Sequence, residues 1–169
     1  FRPRLVFLQI IENTEIGPVM FALLGSHRLE LVQGDITFQE VDAIVNAANA
    51  QLAAGGGVDG AIHRAAGPAL AAQLKDLYPH GCPTGDVVVT SAGNLHARFV
   101  FHAVGPVWRG GGNREGIQLQ SVYEKSLQLA LQNNCRKISF PAISTGVFGY
   151  PKDLAAELSL QTCRKFLEN

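Results

Sequence analysis

The chain has 169 residues, 47% hydrophobic and 17% charged, and its 14 basic side chains cancel its 14 acidic ones. That length suits one domain with a layered core, the neutral balance argues against a dedicated duplex-DNA binder, and no apolar run reaches the roughly 20 residues that span a bilayer. Cys82, Cys135 and Cys163 are odd in number and far apart, which fits reduced thiols in a cytoplasmic protein and neither a disulfide framework nor a metal site. No secretory signal is evident.

In chain order, Arg4 to Ile11 is a nearly continuous apolar run, the pattern of a strand buried on both faces, and Val19 to Leu24 after Gly17-Pro18 reads as a short helix. Further strands are predicted at Arg28 to Val32, Val41 to Val45, Asp86 to Ser91 and Phe99 to Ala103. Helices are predicted near Val58 to Ala66, Pro68 to Leu77 and Glu115 to Asn133. A last strand, Lys137 to Phe140, enters the loop Pro141 to Tyr150, and Pro151 suits the first turn of a helix reaching Phe166. Strands interspersed with helices predict a three-layer α/β/α sandwich around a mixed, mostly parallel sheet, with any ligand at the carboxyl ends of the strands.

Four segments carry chemistry together. Gly34-Asp35-Ile36-Thr37 follows a strand, and its carboxylate can accept from an exocyclic amine such as that of adenine; alone, Asp35 is more often a turn or cap residue. Asn46-Ala47-Ala48-Asn49 ends an apolar strand. Its amides offer donor and acceptor to adjacent ribose hydroxyls, or else tie down the following loop. Gly55-Gly56-Gly57-Val58-Asp59-Gly60 enters a helix with no Cβ at its first three positions, so its N–H groups can face phosphate oxygens. Asp59 is out of place beside a diphosphate unless it orders water, accepts a ribose proton or caps the helix. Ser144-Thr145-Gly146-Val147-Phe148-Gly149 forms a second small-residue cradle, in which Phe148 covers a ribose or packs in the core. GxxxxGK[ST] is absent, and no GxGxxG opens a helix after a strand, so neither kinase nor hydride-transfer chemistry has support.

Over about Leu29 to Phe166 these motifs resemble the macrodomain family of ADP-ribose-binding modules. They are most similar to its MacroD-type hydrolase branch, with Asn49, six residues, then Gly56-Gly57-Val58-Asp59, and later Gly146-Val147-Phe148-Gly149. The resemblance implies that Asp35 contacts the adenine amine with the Ile36 amide nearby, and that Asn46 and Asn49 face the distal ribose. It also implies that Gly55, Gly56, Gly57 and Val58, with Ser144, Thr145, Gly146, Val147 and Phe148, enclose the diphosphate. Asn49 and Asp59 are the implied catalytic pair, with water held between a phosphate oxygen and Asp59, no cofactor and no metal. His63, one helical turn after Asp59, and His102, inside an apolar strand, read as packing residues.

The resemblance departs at the ends, because family members finish with a strand and helix that Arg4 to Leu24 look like. Gly25-Ser26-His27 then reads as a linker, similar to an expression-tag remnant, in a circular permutant whose remainder is 28–169; a natural N-terminal extension with a truncated C-terminus is the rival reading. This predicts that Arg4 to Ile11 lies within the central sheet and that Ile11 adds an aliphatic contact near the adenine. The implied partners are ADP-ribose and ADP-ribosylated proteins, the implied chemistry removal of mono-ADP-ribose from side chains or deacylation of O-acetyl-ADP-ribose. A non-catalytic ADP-ribose reader and removal of ADP-ribose from nucleic-acid ends are the alternatives. Nucleic acid is the less favoured partner, and the sequence carries no oligomerisation signature.

Overall fold

The computed structural model describes residues 6–11 and 20–168. The strands are β1 (Val6–Ile11), β2 (Met20–Leu24), β3 (His27–Gln33), β4 (Ala43–Ala47), β5 (Val87–Ser91), β6 (Phe99–Ala103) and β7 (Lys137–Pro141). The helices are α1 (Gly57–Ala66), α2 (Pro68–Leu77), α3 (Glu115–Gln132) and α4 (Lys152–Glu168), with a 3-10 turn at Ile36–Phe38. Arg4, Leu5, residues 12–13 and Val19, on which some expectations fall, lie outside the described residues, as does the side chain of Ile11.

The strands form one sheet in the order β2-β3-β1-β7-β4-β6-β5. β3, β1, β7, β4 and β6 run parallel, while β2 and β5 close the two edges antiparallel. β1 thus lies inside the sheet, between β3 and β7.

Alternation along the central strands builds the three layers. Ala43 and Val45 of β4, with Phe101 of β6 and Phe140 of β7, pack with Leu119, Val122 and Leu127 of α3 and Cys163 of α4. Their sequence neighbours Ile44 and Val100 face the other way, onto Ile62 of α1 and Leu70 of α2. Successive Cβ atoms point to opposite faces, so a sheet covered on both sides needs apolar residues at both, which is why these strands read as unbroken runs. The predicted mixed α/β/α sandwich is the fold the chain adopts.

The helix expected at Val19 to Leu24 is not formed. Met20–Leu24 is the edge strand β2, paired residue by residue with β3 from Leu24↔His27 to Met20↔Leu31. The two residues between these strands, Gly25 and Ser26, make the hairpin turn, and Gly25 takes the left-handed φ of +60° that such a turn requires. The expected Gly25-Ser26-His27 linker is therefore a tight turn followed by the first residue of β3. Among the described residues no helix is long and apolar enough to cross a membrane.

Because β3, β4, β6 and β7 are parallel, the loops after them emerge at one end of the sheet. All four motif segments fall at that end.

Candidate functional site

Asp35 follows β3 and is exposed. Its Oδ1 accepts from the Thr37 amide at 2.8 Å and the Thr37 hydroxyl at 2.7 Å, capping the 3-10 turn. A carboxylate has about four acceptor sites, so this cap leaves capacity for an amine. Ile36 is buried at 3% exposure and anchors the turn beneath. Ile11, the last residue of β1, is in register with Gln33 of β3, which brings the end of β1 to the strand that leads into Asp35.

The loop after β4 is held by side chains. Asn49 clamps it from one side, its Nδ2 donating to the Ala53 carbonyl at 2.6 Å and its Oδ1 accepting from the Ala53 amide at 3.2 Å. From below, Asp59 in the first turn of α1 reaches back, and its Oδ2 accepts from the Gly55 amide at 2.6 Å. The other oxygen, Oδ1, accepts from Asn46 Nδ2 at 2.6 Å and lies 3.5 Å from His63 Nε2. Asp59 is 5% exposed and Asn46 fully buried, whereas Gly55, Gly56 and Gly57 are exposed above them. A carboxylate taken out of water needs such donors.

Two glycines make this packing possible. At Gly60 a Cβ would sit 2.5 Å from the Gly55 carbonyl oxygen, so only glycine lets α1 approach the loop so closely. Gly57 starts the helix with a φ of +57°. No side chain caps the helix at Gly56, and the backbone N–H groups of the first turn carry the positive end of the helix dipole.

The loop after β7 is held mainly by its own backbone, with one threonine hydroxyl. Thr145 donates from N and Oγ1 to the Ala142 carbonyl, Tyr150 donates its amide to Ser144 at 2.9 Å, and Gly149 donates to Gly146 at 2.9 Å. Ser144 adopts φ of +67°, a left-handed conformation unusual outside glycine. Its hydroxyl, 5% exposed as a residue, meets no hydrogen-bond partner among the described residues. The Trp108 amide donates to the Phe148 carbonyl at 2.8 Å, and the Trp108 ring packs 4.6 Å from that of Tyr150. Phe148 is half-buried, and Val147 at the tip is fully exposed, so Val147 offers its backbone and a solvent-facing side chain.

Behind the first loop the polar contacts continue inward. Asn46 Nδ2 also lies 3.2 Å from His102 Nδ1, and His102 Nε2 lies 2.9 Å from Thr90 Oγ1. Burial, reinforced by the nearby His63, lowers the His102 pKa from 6.5 to about 3, so the ring is neutral at physiological pH. Beside the second loop, burial tends to raise the Glu115 pKa, but amide donors outweigh it and hold the carboxyl below its usual range. Those donors include Arg109, Gly111 and Asn113, so Glu115 gathers the 109–113 segment around one carboxylate. No three His, Cys, Asp or Glu side chains converge as a metal site among the described residues.

Sequence reasoning located both loops but not their supports. Asn46, expected to face a ribose, is bonded to Asp59 within the protein, and Asn49 does clamp the loop. His63 and His102 both join the polar cluster. Gly60 closes the glycine segment that the sequence marks, whereas Gly105 and Trp108 carry no expectation there; their signal is the Gly105-Pro106 pair directly after an apolar strand and the chain's one tryptophan.

Comparison with known proteins agrees with this geometry. A profile described as the Macro domain matches residues 45–159. The O-acetyl-ADP-ribose deacetylase of Klebsiella pneumoniae is 59% identical over 140 residues, covering 82% of this chain and 80% of that protein. The O-acetyl-ADP-ribose deacetylase of Salmonella newport is 56% identical over 142 residues, covering 83% and 79%. Among solved structures, the Oceanobacillus iheyensis macrodomain with ADP superposes with a TM-score of 0.86 at 42% identity, covering 92% of this chain and 84% of that one. With a profile match over residues 45–159, relatives more than half identical across most of both chains and a solved structure that superposes at a TM-score of 0.86, this chain belongs to the Macro domain family.

Proposed function

We propose that the chain binds ADP-ribose across the ends of β3, β4 and β7, and hydrolyses mono-ADP-ribose from modified protein side chains or deacylates O-acetyl-ADP-ribose. Asp35 accepts from the adenine amine, with the Ile36 amide beside it, and Ile11 contributes at the end of β1. The amides of Gly55, Gly56, Gly57 and Val58 take the diphosphate from one side. The segment Ser144, Thr145, Gly146, Val147 and Phe148 encloses it from the other, with the Phe148 ring beside the distal ribose. Asn46 and Asn49 belong to the distal-ribose end. The observation that carries the catalytic reading is the carboxylate of Asp59, fixed on both oxygens immediately beneath the glycine loop.

In this reading the fixed carboxylate keeps lone pairs for a water molecule, orients it against the distal ribose and accepts its proton as it attacks. Water adds across the bond to the acyl or carboxyl group, which leaves as the acid, and ADP-ribose is released. The names of the relatives support the deacylation arm, and the solved structure with ADP supports a nucleotide in the cleft. Three buried, unpaired cysteines support a reducing, cytoplasmic setting. The place of β1 between β3 and β7 supports a circularly rearranged chain order; a gene that moves 1–24 behind residue 169 tests this, by yielding the same circular dichroism and ligand affinity.

The discriminating experiment follows release of label from an auto-ADP-ribosylated protein, and of acetate from O-acetyl-ADP-ribose, by wild type and Asp59→Ala. Removing a positioned acid–base group costs about 10²- to 10⁴-fold in turnover, so the variant should bind ADP-ribose and release little. Equal release by both proteins removes Asp59 from catalysis. No release by wild type leaves the site a reader of ADP-ribose.

A further inference from the structure

Asn46 carries more of the site than its expected ribose contact. Its side-chain nitrogen has two hydrogens, and two acceptors lie within reach: Asp59 Oδ1 at 2.6 Å and His102 Nδ1 at 3.2 Å. Donating to both requires that Nδ1 carry no hydrogen, which puts the ring hydrogen on Nε2, where Thr90 Oγ1 accepts it at 2.9 Å. Turning the amide over would set its oxygen against a carboxylate oxygen and against a ring lone pair at once. In the observed orientation the Asn46 carbonyl oxygen, buried, accepts from no group among the described residues.

We infer that His102 is a positioning residue for the Asp59 carboxylate: its Nε2–H tautomer, held by Thr90, locks the Asn46 amide with its nitrogen on Asp59 and its carbonyl oxygen uncommitted. This rests on the catalytic reading of Asp59 for its kinetic consequence, though not for its geometry. Asn46, His102 and Thr90 are all 3% exposed or less, so water does not compete for these bonds. The titratable groups facing the cluster are Asp59, through Asn46, and His63, whose ring centroid lies 6.4 Å from that of His102. A protonated ring would carry a hydrogen at Nδ1, favour the reversed amide and turn its oxygen onto Asp59. Burial and His63 hold the His102 pKa far below that of free histidine, which keeps the lock set at neutral pH.

Leucine at position 102 deletes the acceptor, whereas the Oδ1 of asparagine stands near the place of Nδ1. In the label-release assay His102→Leu should lower kcat about 10-fold or more, leave the Kd for ADP-ribose within about 3-fold, and be largely rescued in His102→Asn. Unchanged kcat in His102→Leu, or equal loss in both variants, overturns the inference. Should the leucine variant fail to fold, nitrogen-15 NMR of the wild-type ring decides. One protonated and one unprotonated nitrogen, constant from about pH 5 to 8, with the hydrogen on Nε2, is expected; hydrogen on Nδ1, or titration in that range, overturns it. An active Asp59→Ala control would sink the catalytic reading but leave the tautomer result standing.

Discussion

The two cradle loops leave the same end of neighbouring parallel strands, yet different chemistry holds them. The Gly55 loop is bolted down by side chains: the Asp59 carboxylate, the Asn49 clamp and the buried line Asn46, His102 and Thr90. The loop from Ser144 to Gly149 is shaped by turn hydrogen bonds, a left-handed serine and the Trp108 amide docked on the Phe148 carbonyl. Side-chain bolts place a charged group with precision and can be removed singly or by protonation. A backbone cradle offers amides and indifference to pH, since residues 144–149 include no titratable side chain. A site that must both hold a diphosphate and aim a carboxylate gains from having one loop of each kind.

The largest effect is expected where the first loop meets ligand. Gly56 has open space around its Cβ position and an ordinary φ of −97°, so Gly56→Glu should keep the melting temperature within about 3 °C. The added charge opposes a diphosphate, and the Kd for ADP-ribose should rise about 100-fold or more. Binding at wild-type affinity would place the phosphates elsewhere.

Acid should separate the two loops next. The folded-state pKa of His102 is depressed from 6.5 to about 3, so between these values the unfolded chain binds the extra proton. Its contribution to stability is therefore present above the unfolded pKa and falls by about 1.4 kcal/mol per pH unit as pH drops. Denaturant midpoints measured downward from neutrality should show this slope, and His102→Asn should lack it. Amide exchange should report loosening at Gly55 before Gly149.

Two alanine substitutions probe the close approaches behind each loop. A Cβ at Gly60 meets the Gly55 carbonyl oxygen at 2.5 Å, and one at Gly105 runs into the Ser144 hydroxyl and meets Ile143 at 2.7 Å. Each should cost about 1–3 kcal/mol, even though alanine at Gly60 gains about 1 kcal/mol of helix propensity. Urea unfolding measures both; Gly60→Ala should also lower turnover by displacing the partner of Asp59, whereas Gly105→Ala should act mainly on affinity. The smallest effect belongs to Ser144→Gly, which relieves the φ of +67° and should change stability by less than about 1 kcal/mol.

Much of this molecule was legible because its signals are local. Apolar runs bounded by Gly and Pro gave the buried strands, and three consecutive glycines before Val58 marked a loop entering a helix. The edge strand β2 reads as a helix in sequence because the short apolar stretch Val19 to Leu24 fits helix or strand equally. Gly25-Ser26-His27 reads as a linker in sequence, while its first two residues set the hairpin in the fold. In the site, the residue types were visible but not their joining. Asn46 and Asp59 lie on separate elements, and His102 follows Phe101 in an apolar strand, so no periodicity marks it as polar. Gly60 matters through a contact with Gly55 that only the folded chain makes.

Titration calorimetry of the wild-type protein with ADP-ribose, beside Gly56→Glu, tests the cleft most directly. One saturable site in the wild type, lost in a variant that still melts cooperatively, is the predicted result. No heat of binding by the wild type at high micromolar ADP-ribose would contradict the assignment of the cleft and every role derived from it.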